Sequence, residues 1–153
     1  MLGGLSVAIS DEVAAGTRQA ALVALHSHPD RTVAQLSRAL GRSHSATVRL
    51  VDGLQREGLV RRGPGGDART VALELTSAGA AAAEAVRAAR ARALDDLVAA
   101  LSEEQVAQLE PLLERLLAAS ATDADARWRT CRLCEEPRCE QDRRCPVDAA
   151  APR

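Results

Sequence analysis

The 153-residue chain contains no lysine, no phenylalanine and no tyrosine, and its single tryptophan is Trp128. Every basic side chain is therefore an arginine, and the core must be built from leucine, valine and alanine. Such residues suit closely packed helices better than a ligand pocket lined by aromatic rings. The sequence also lacks a run of about 18 uncharged apolar residues that could span a membrane. Met1–Ser10 lacks the basic start of a secretory signal, so we expect a cytoplasmic protein.

The small net charge of −1 hides a segregation of charge along the chain. Residues 31–69 contain eight arginines and three acidic residues, whereas residues 95–125 contain eight acidic residues and one arginine. The first segment could face phosphate groups, and the second would repel them. The alternative is that both segments are solvated helix surfaces. The basic segment, however, coincides with a structural motif.

The apolar spacing predicts a mostly α-helical chain with one small β-hairpin. Leu59–Arg62 and Val71–Leu75 are the predicted strands, and the loop between them is rich in glycine. Gly41 provides the left-handed conformation of a tight turn between two short helices. Helices are predicted at Leu2–Ala15, Thr17–His28, Val33–Leu40, Ser43–Glu57, Ala78–Ala100 and after the capping box of Ser102 and Gln105.

Two short helices followed by a hairpin form a winged helix-turn-helix, whose second helix enters the major groove of DNA. Short hydroxyl and arginine side chains at the start of that helix can reach phosphates and base edges. Ser43 is favoured as the helix cap. An arginine at the hairpin tip suits a narrow minor groove. The predicted DNA-binding residues are Thr32, Ser43, His44, Ser45, Thr47, Arg49, Arg62, Asp67 and Arg69.

Five segments together resemble the MarR family of bacterial transcriptional regulators over about residues 17–120: Val33–Gly41, Ser45–Leu54, Glu57–Arg62, Asp67-Ala-Arg69 and Leu73-Glu-Leu-Thr76. The resemblance implies a homodimer, built from the N- and C-terminal helices, that binds a pseudo-palindromic operator. It also implies that Arg69 enters the minor groove while Asp67 orients an arginine. The chain then divides into an N-terminal dimerisation helix (1–16), the winged helix-turn-helix (17–76), C-terminal dimerisation helices (77–120) and a linker with a cysteine tail (121–153).

A stripe of leucines, from Leu112 to Leu117, is the predicted dimer seam, with burial against the chain's own helices as the alternative. Dimerisation sets two recognition helices about 34 Å apart, so that each reads one half-site. We found no catalytic triad, phosphate loop or paired carboxylates, and we therefore expect no enzyme. The expected function is a repressor that occludes a promoter until a small-molecule effector or a redox change alters the helix spacing.

All four cysteines fall in the C-terminal tail, at Cys131, Cys134, Cys139 and Cys145. A segment with so few apolar residues cannot offset the entropy cost of ordering by burying surface. Tetrahedral ligation of zinc by the four thiolates is the simplest source of the missing stability. An iron–sulfur cluster uses the same ligands, although the spacings differ from ferredoxin patterns. Transient disulfides and four reduced thiols are the remaining alternatives. The metal is either structural, or the tail is the input of a metal- or redox-responsive regulator.

Overall fold

The computed structural model describes residues 16–65, 70–123, 125–133 and 145–150. Seven helices and two strands lie in these ranges: α1 (Thr17–Ser27), α2 (Val33–Leu40), α3 (His44–Arg56), β1 (Val60–Pro64), β2 (Val71–Leu75), α4 (Ser77–Val98), α5 (Glu103–Ala119), α6 (Ala126–Thr130), a 3-10 turn (Cys131–Leu133) and α7 (Pro146–Ala150). The mostly helical fold with one hairpin is confirmed. The predicted helix at Leu2–Ala15 lies outside the described residues. Within the described ranges, no helix is long and apolar enough to cross a membrane.

Side-chain caps fix where the short helices begin. Thr32 accepts a hydrogen bond from the backbone N–H of Gln35, whose side chain bonds back to the Thr32 N–H, forming a capping box at the start of α2. Gly41 ends α2 with a φ of 61°, in the left-handed region as predicted. The predicted capping box of Ser102 and Gln105 is also present. These local signals explain why the sequence placed the helix boundaries within one or two residues.

The core lies where α1, α2, α3 and the hairpin meet. Leu36, Leu54 and Leu73 are fully buried there, one from each of α2, α3 and β2. Burying one such side chain contributes about 1.5–3 kcal/mol, so aliphatic residues suffice without an aromatic core. This core fixes the angle between the two helices of the helix-turn-helix and the position of the hairpin beside them.

The hairpin is tied to the loop between α1 and α2. Strands β1 and β2 pair antiparallel, from Val60 opposite Leu75 to Pro64 opposite Val71. Beyond this pair, the backbone N–H of Leu73 donates to the carbonyl of Arg31 at 2.8 Å. Arg31 therefore adds a one-residue third strand to the base of the wing. This hydrogen bond links the α1–α2 loop directly to β2.

Helix α4 starts directly at the base of the wing. Thr76 caps it by accepting from the N–H of Gly79, and the Thr76 hydroxyl donates to the carbonyl of Gly58 at 2.6 Å. A Cβ added to Gly79 would lie 1.9 Å from the carbonyl oxygen of Leu59. The close approach of α4 to the segment before β1 therefore requires glycine at position 79.

Substituting Gly79 with alanine should lower the free energy of unfolding by about 1–3 kcal/mol, because the methyl group meets backbone that cannot rotate away. The control is Gly53→Ala in α3, where the same methyl group would lie 3.6 Å from the nearest neighbouring atom. That change should be neutral or stabilising by up to about 1 kcal/mol through helix propensity. Urea denaturation measures both, and equal effects at the two sites would contradict the assigned packing.

Helix α5 is poorly covered by the rest of the chain. None of its residues is buried, and Leu116 keeps 67% of its surface exposed. Its principal contact within the described residues is with α7, whose Val147 is buried. Isolated helices of this length are marginal in water and draw their stability from packing. The exposed leucines of α5 are therefore expected to pack against a surface other than the described part of this chain.

The described part of the tail folds back onto the winged helix-turn-helix. Helix α6 contacts α2, and the 3-10 turn contacts α1. Ala121 and Ala126 are buried, although the sequence predicted only a linker at the start of the segment 121–153. Alanine buries little surface but permits close approach, which is why composition alone underestimated the contacts of this segment.

Candidate nucleic-acid interface

The N-terminus of α3 is open to solvent and carries the polar side chains expected of a recognition helix. Ser43 is its cap, accepting from the N–H of Ala46 at 3.3 Å, as favoured from the sequence. Its hydroxyl also lies 3.3 Å from that of Ser45. His44 and Ser45 are exposed. The unpaired N–H groups and partial positive charge of the helix end add a further attraction for phosphate.

Thr47 corrects one of the predicted DNA contacts. Its side chain is completely buried, and its hydroxyl donates to the carbonyl of Ser43 at 3.0 Å. The side chain therefore faces the core rather than a groove. The sequence carried a signal for this, because Thr47, Val51 and Leu54 share the spacing of one helix face.

Two arginines extend the exposed basic surface around the start of α3. Arg49 is exposed one and a half turns into the helix, as predicted. Arg42, which is not among the predicted DNA-binding residues, is exposed in the turn before Ser43. Its position next to the helix cap Ser43 was the sequence signal that could have identified Arg42. Thr32 lies at the start of α2, partly buried and engaged in its capping box.

The arginines on the wing strand are held by carboxylates of neighbouring elements. Arg62 is 2.8 Å from Asp52 of α3, and Arg61 pairs with Glu74 across the hairpin. Both guanidinium groups remain substantially exposed, so they can also meet an anion. Asp67 and Arg69 at the hairpin tip lie outside the described residues.

The predicted metal ligands are only partly described. Cys131 and Cys145 are both partly exposed, while Cys134 and Cys139 lie outside the described residues. Helix α6 before Cys131 contacts helix α7 after Cys145, so the two ends of the cysteine segment are held near each other. In the ranges given above, no group of three or more metal-binding side chains is assembled.

An ion pair stabilises the start of α6. Asp123 accepts from Arg129 at 2.8 Å and from the N–H of Asp125 at 2.8 Å. The hydrogen bond from Arg129 lowers the pKa of Asp123. The resulting stabilisation is present above the ordinary pKa of an aspartate and is lost as the pH falls through the lowered value. Both side chains are solvent-accessible, so the effect is small.

Comparison with known proteins identifies the family to which this winged helix-turn-helix belongs. A model of the MarR family matches residues 19–70. MarR of Escherichia coli, solved without ligand, is 30% identical, with the alignment covering 67% of this chain and 77% of that one at a TM-score of 0.58. This chain belongs to the MarR family. The members of that family are transcription regulators rather than enzymes, as the sequence predicted.

Other MarR-family structures agree with this assignment. A family protein from Bacillus stearothermophilus is 28% identical over 75% of this chain and 84% of that one, with a TM-score of 0.62. MepR of Staphylococcus aureus, solved with DNA, is 27% identical over 67% of this chain and 76% of that one, with a TM-score of 0.53. A comparison with curated proteins found no match.

Proposed function

We propose that this MarR-family regulator is a homodimeric, sequence-specific repressor that binds a pseudo-palindromic operator in the cytoplasm. The observation that carries the proposal is the exposed start of α3, where His44, Ser45 and Arg49 accompany a capped helix end. The wing extends beside it with exposed Arg61 and Arg62. A relative of the same fold has been solved with DNA. Occlusion of a promoter by the bound dimer is the simplest form of control.

The exposed leucines of α5 support the homodimer. Apolar patches of this kind on a soluble protein commonly mark an interface. Leu94 and Leu97, in the C-terminal half of α4, are also about half exposed. A second copy of the same chain is the occupant we propose, because two recognition helices must be held together to read two half-sites.

Selection from a random pool of duplexes tests the DNA-binding function directly. The full-length protein should enrich a two-fold symmetric sequence whose half-sites are separated by about one helical turn. Its affinity for the selected duplex should fall steeply with salt, since the arginines displace condensed counterions. A protein that binds no duplex at low salt would contradict the proposed function.

We further propose that the four cysteines hold one zinc ion. Support comes from their spacing and from the contact between α6 and α7, which closes the segment that carries them. When bound, the metal would join thiolates from a segment that has few apolar residues of its own. An iron–sulfur cluster is the alternative occupant.

Elemental analysis of anaerobically purified protein distinguishes these cases. We expect about one zinc per chain, a colourless solution and loss of the metal in Cys131→Ser. Thr130→Ser, at the adjacent position, should retain it. A brown protein that absorbs at about 400 nm would identify an iron–sulfur cluster instead. Metal-free protein from anaerobic cells would contradict both.

The packing of the tail favours a second function, a metal- or redox-responsive regulator in which the cysteines receive the signal. Helix α6 contacts α2, the first helix of the helix-turn-helix, and the 3-10 turn contacts α1, which packs against α2. A change at Cys131 would therefore act on a segment in contact with the DNA-binding unit. Duplex affinities measured with zinc-loaded and chelator-treated protein test this function, and equal values would contradict it.

A further inference from the structure

Trp128 connects the tail to the helix-turn-helix through two side chains of the α1–α2 loop. The Cζ atom of Arg31 lies 4.7 Å from the centre of the Trp128 ring, within cation–π range. The ring of His28 meets the same tryptophan edge-on, with centroids 6.0 Å apart at an interplanar angle of 70°. The only tryptophan of the chain is thus placed on the loop that joins the first two helices.

Arg31 is the residue through which this contact reaches the wing. It is only 5% exposed, and its carbonyl accepts from the N–H of Leu73 in β2. Its neighbour Asp30 has a φ of 62°, a left-handed conformation that non-glycine residues adopt only when their surroundings hold it. One buried residue therefore joins the tail, a constrained loop and the base of the hairpin.

Two further contacts anchor the same segment on the C-terminal side of Trp128. Arg90 of α4 donates to the carbonyl of Leu133 at 3.0 Å. The Cδ atom of Arg129 lies 3.5 Å from the position that a Cβ on Gly41 would take, so it covers the turn between α2 and α3. The polar residues at the start of α3 nevertheless remain exposed. The docked tail therefore leaves the recognition surface open.

We propose that the segment 126–133 acts as a brace in the same chain: docking of Trp128 onto Arg31 and His28 holds the α1–α2 loop and the base of the wing in the arrangement that binds DNA. When Trp128 undocks, the α1–α2 loop becomes mobile. DNA affinity then falls, because DNA binding must order the loop at a cost in conformational entropy. The coupling is reciprocal, so DNA must also strengthen docking. This inference rests on the proposed DNA-binding function and specifies its regulation.

The test compares Trp128→Ala with Trp128→Phe in the full-length protein. Loss of the ring should weaken binding to the selected duplex by about fivefold or more, whereas phenylalanine, which keeps an aromatic face for Arg31, should restore most of the affinity. Hydrogen exchange of the 28–31 loop and of β2 should become faster in the alanine variant, with the core of α2 unchanged. In the wild type, emission from the lone tryptophan should change when duplex is added.

The outcomes separate the brace from the function on which it rests. Unchanged affinity in Trp128→Ala, or equal losses in both variants, overturns the brace while DNA binding stands. A wild-type protein that binds no duplex overturns the proposed function and the brace with it. Should Trp128→Ala fail to fold, the emission of the wild type still decides: no change on addition of saturating duplex contradicts the reciprocal coupling.

Discussion

Replacing Leu116 with arginine should convert the protein to a monomer and lower its affinity for the selected duplex by about 100-fold or more. Leu116 is the most exposed large apolar residue among those described, and it belongs to the leucine stripe on α5. In a homodimer, each copy would bury the introduced guanidinium in the interface without an oppositely charged partner, which is strongly destabilising. Arginine is chosen because it adds no repulsion in an acidic helix. Analytical ultracentrifugation and duplex titration measure the two effects.

Ala107→Arg is the matched control for this substitution. Position 107 lies on the same helix, half a turn around its axis from position 116, and is also exposed. It should leave both the dimer and the duplex affinity within about twofold of wild type, since an exposed arginine on an acidic helix changes little. A Leu116→Arg protein that remains dimeric would place the interface on another surface.

Arg49→Ala should have the second largest effect, a loss of about 30-fold in duplex affinity. We assign the contact about 1 kcal/mol in each half-site, at the lower end of the usual range, and the proposed symmetric dimer loses it twice, which gives about 2 kcal/mol or about 30-fold. The salt dependence identifies the target of the side chain. If Arg49 contacts phosphate, the salt slope decreases and all sequences weaken alike, whereas a base contact relaxes the preference at one position of the selected operator.

Arg92→Ala serves as the control for Arg49. Arg92 is an exposed arginine of α4, away from the helix-turn-helix, so its loss removes the same charge from a different surface. Its affinity should stay close to that of wild type, because a distant exposed charge acts only weakly through the screened field. Equal losses in the two variants would indicate a general effect of net charge and would remove Arg49 from the interface.

Much of this fold could be predicted because its signals are local. Caps at Thr32, Ser43 and Ser102, together with the left-handed Gly41, fixed helix ends without tertiary information. Alternating residues in Val71–Leu75 identified the second strand of the wing. The outward placement of His44, Ser45 and Arg49 likewise follows from helical periodicity.

The features that escaped prediction depend on distant parts of the chain. Thr47 is buried because α3 is packed on its neighbours along a face that includes a hydroxyl, which hydrogen-bonds to its own helix and so tolerates burial. The contact of Trp128 with Arg31 joins residues almost 100 positions apart, and no periodic pattern encodes such a pair. Long-range packing of small residues, as at Ala126, carries no sequence signature of its own.

The length of helix α4 has a mechanical consequence for the proposed homodimer. The helix spans 22 residues, and at 1.5 Å per residue it is a rod about 33 Å long. One end is fastened to the hairpin base through Thr76 and Gly58, while the exposed Leu94 and Leu97 lie near the other. A tilt of about 5° at the leucine end would displace the hairpin end by about 3 Å over that length. In the proposed homodimer, an effector that tilts α4 by this amount would displace both hairpins relative to the DNA grooves.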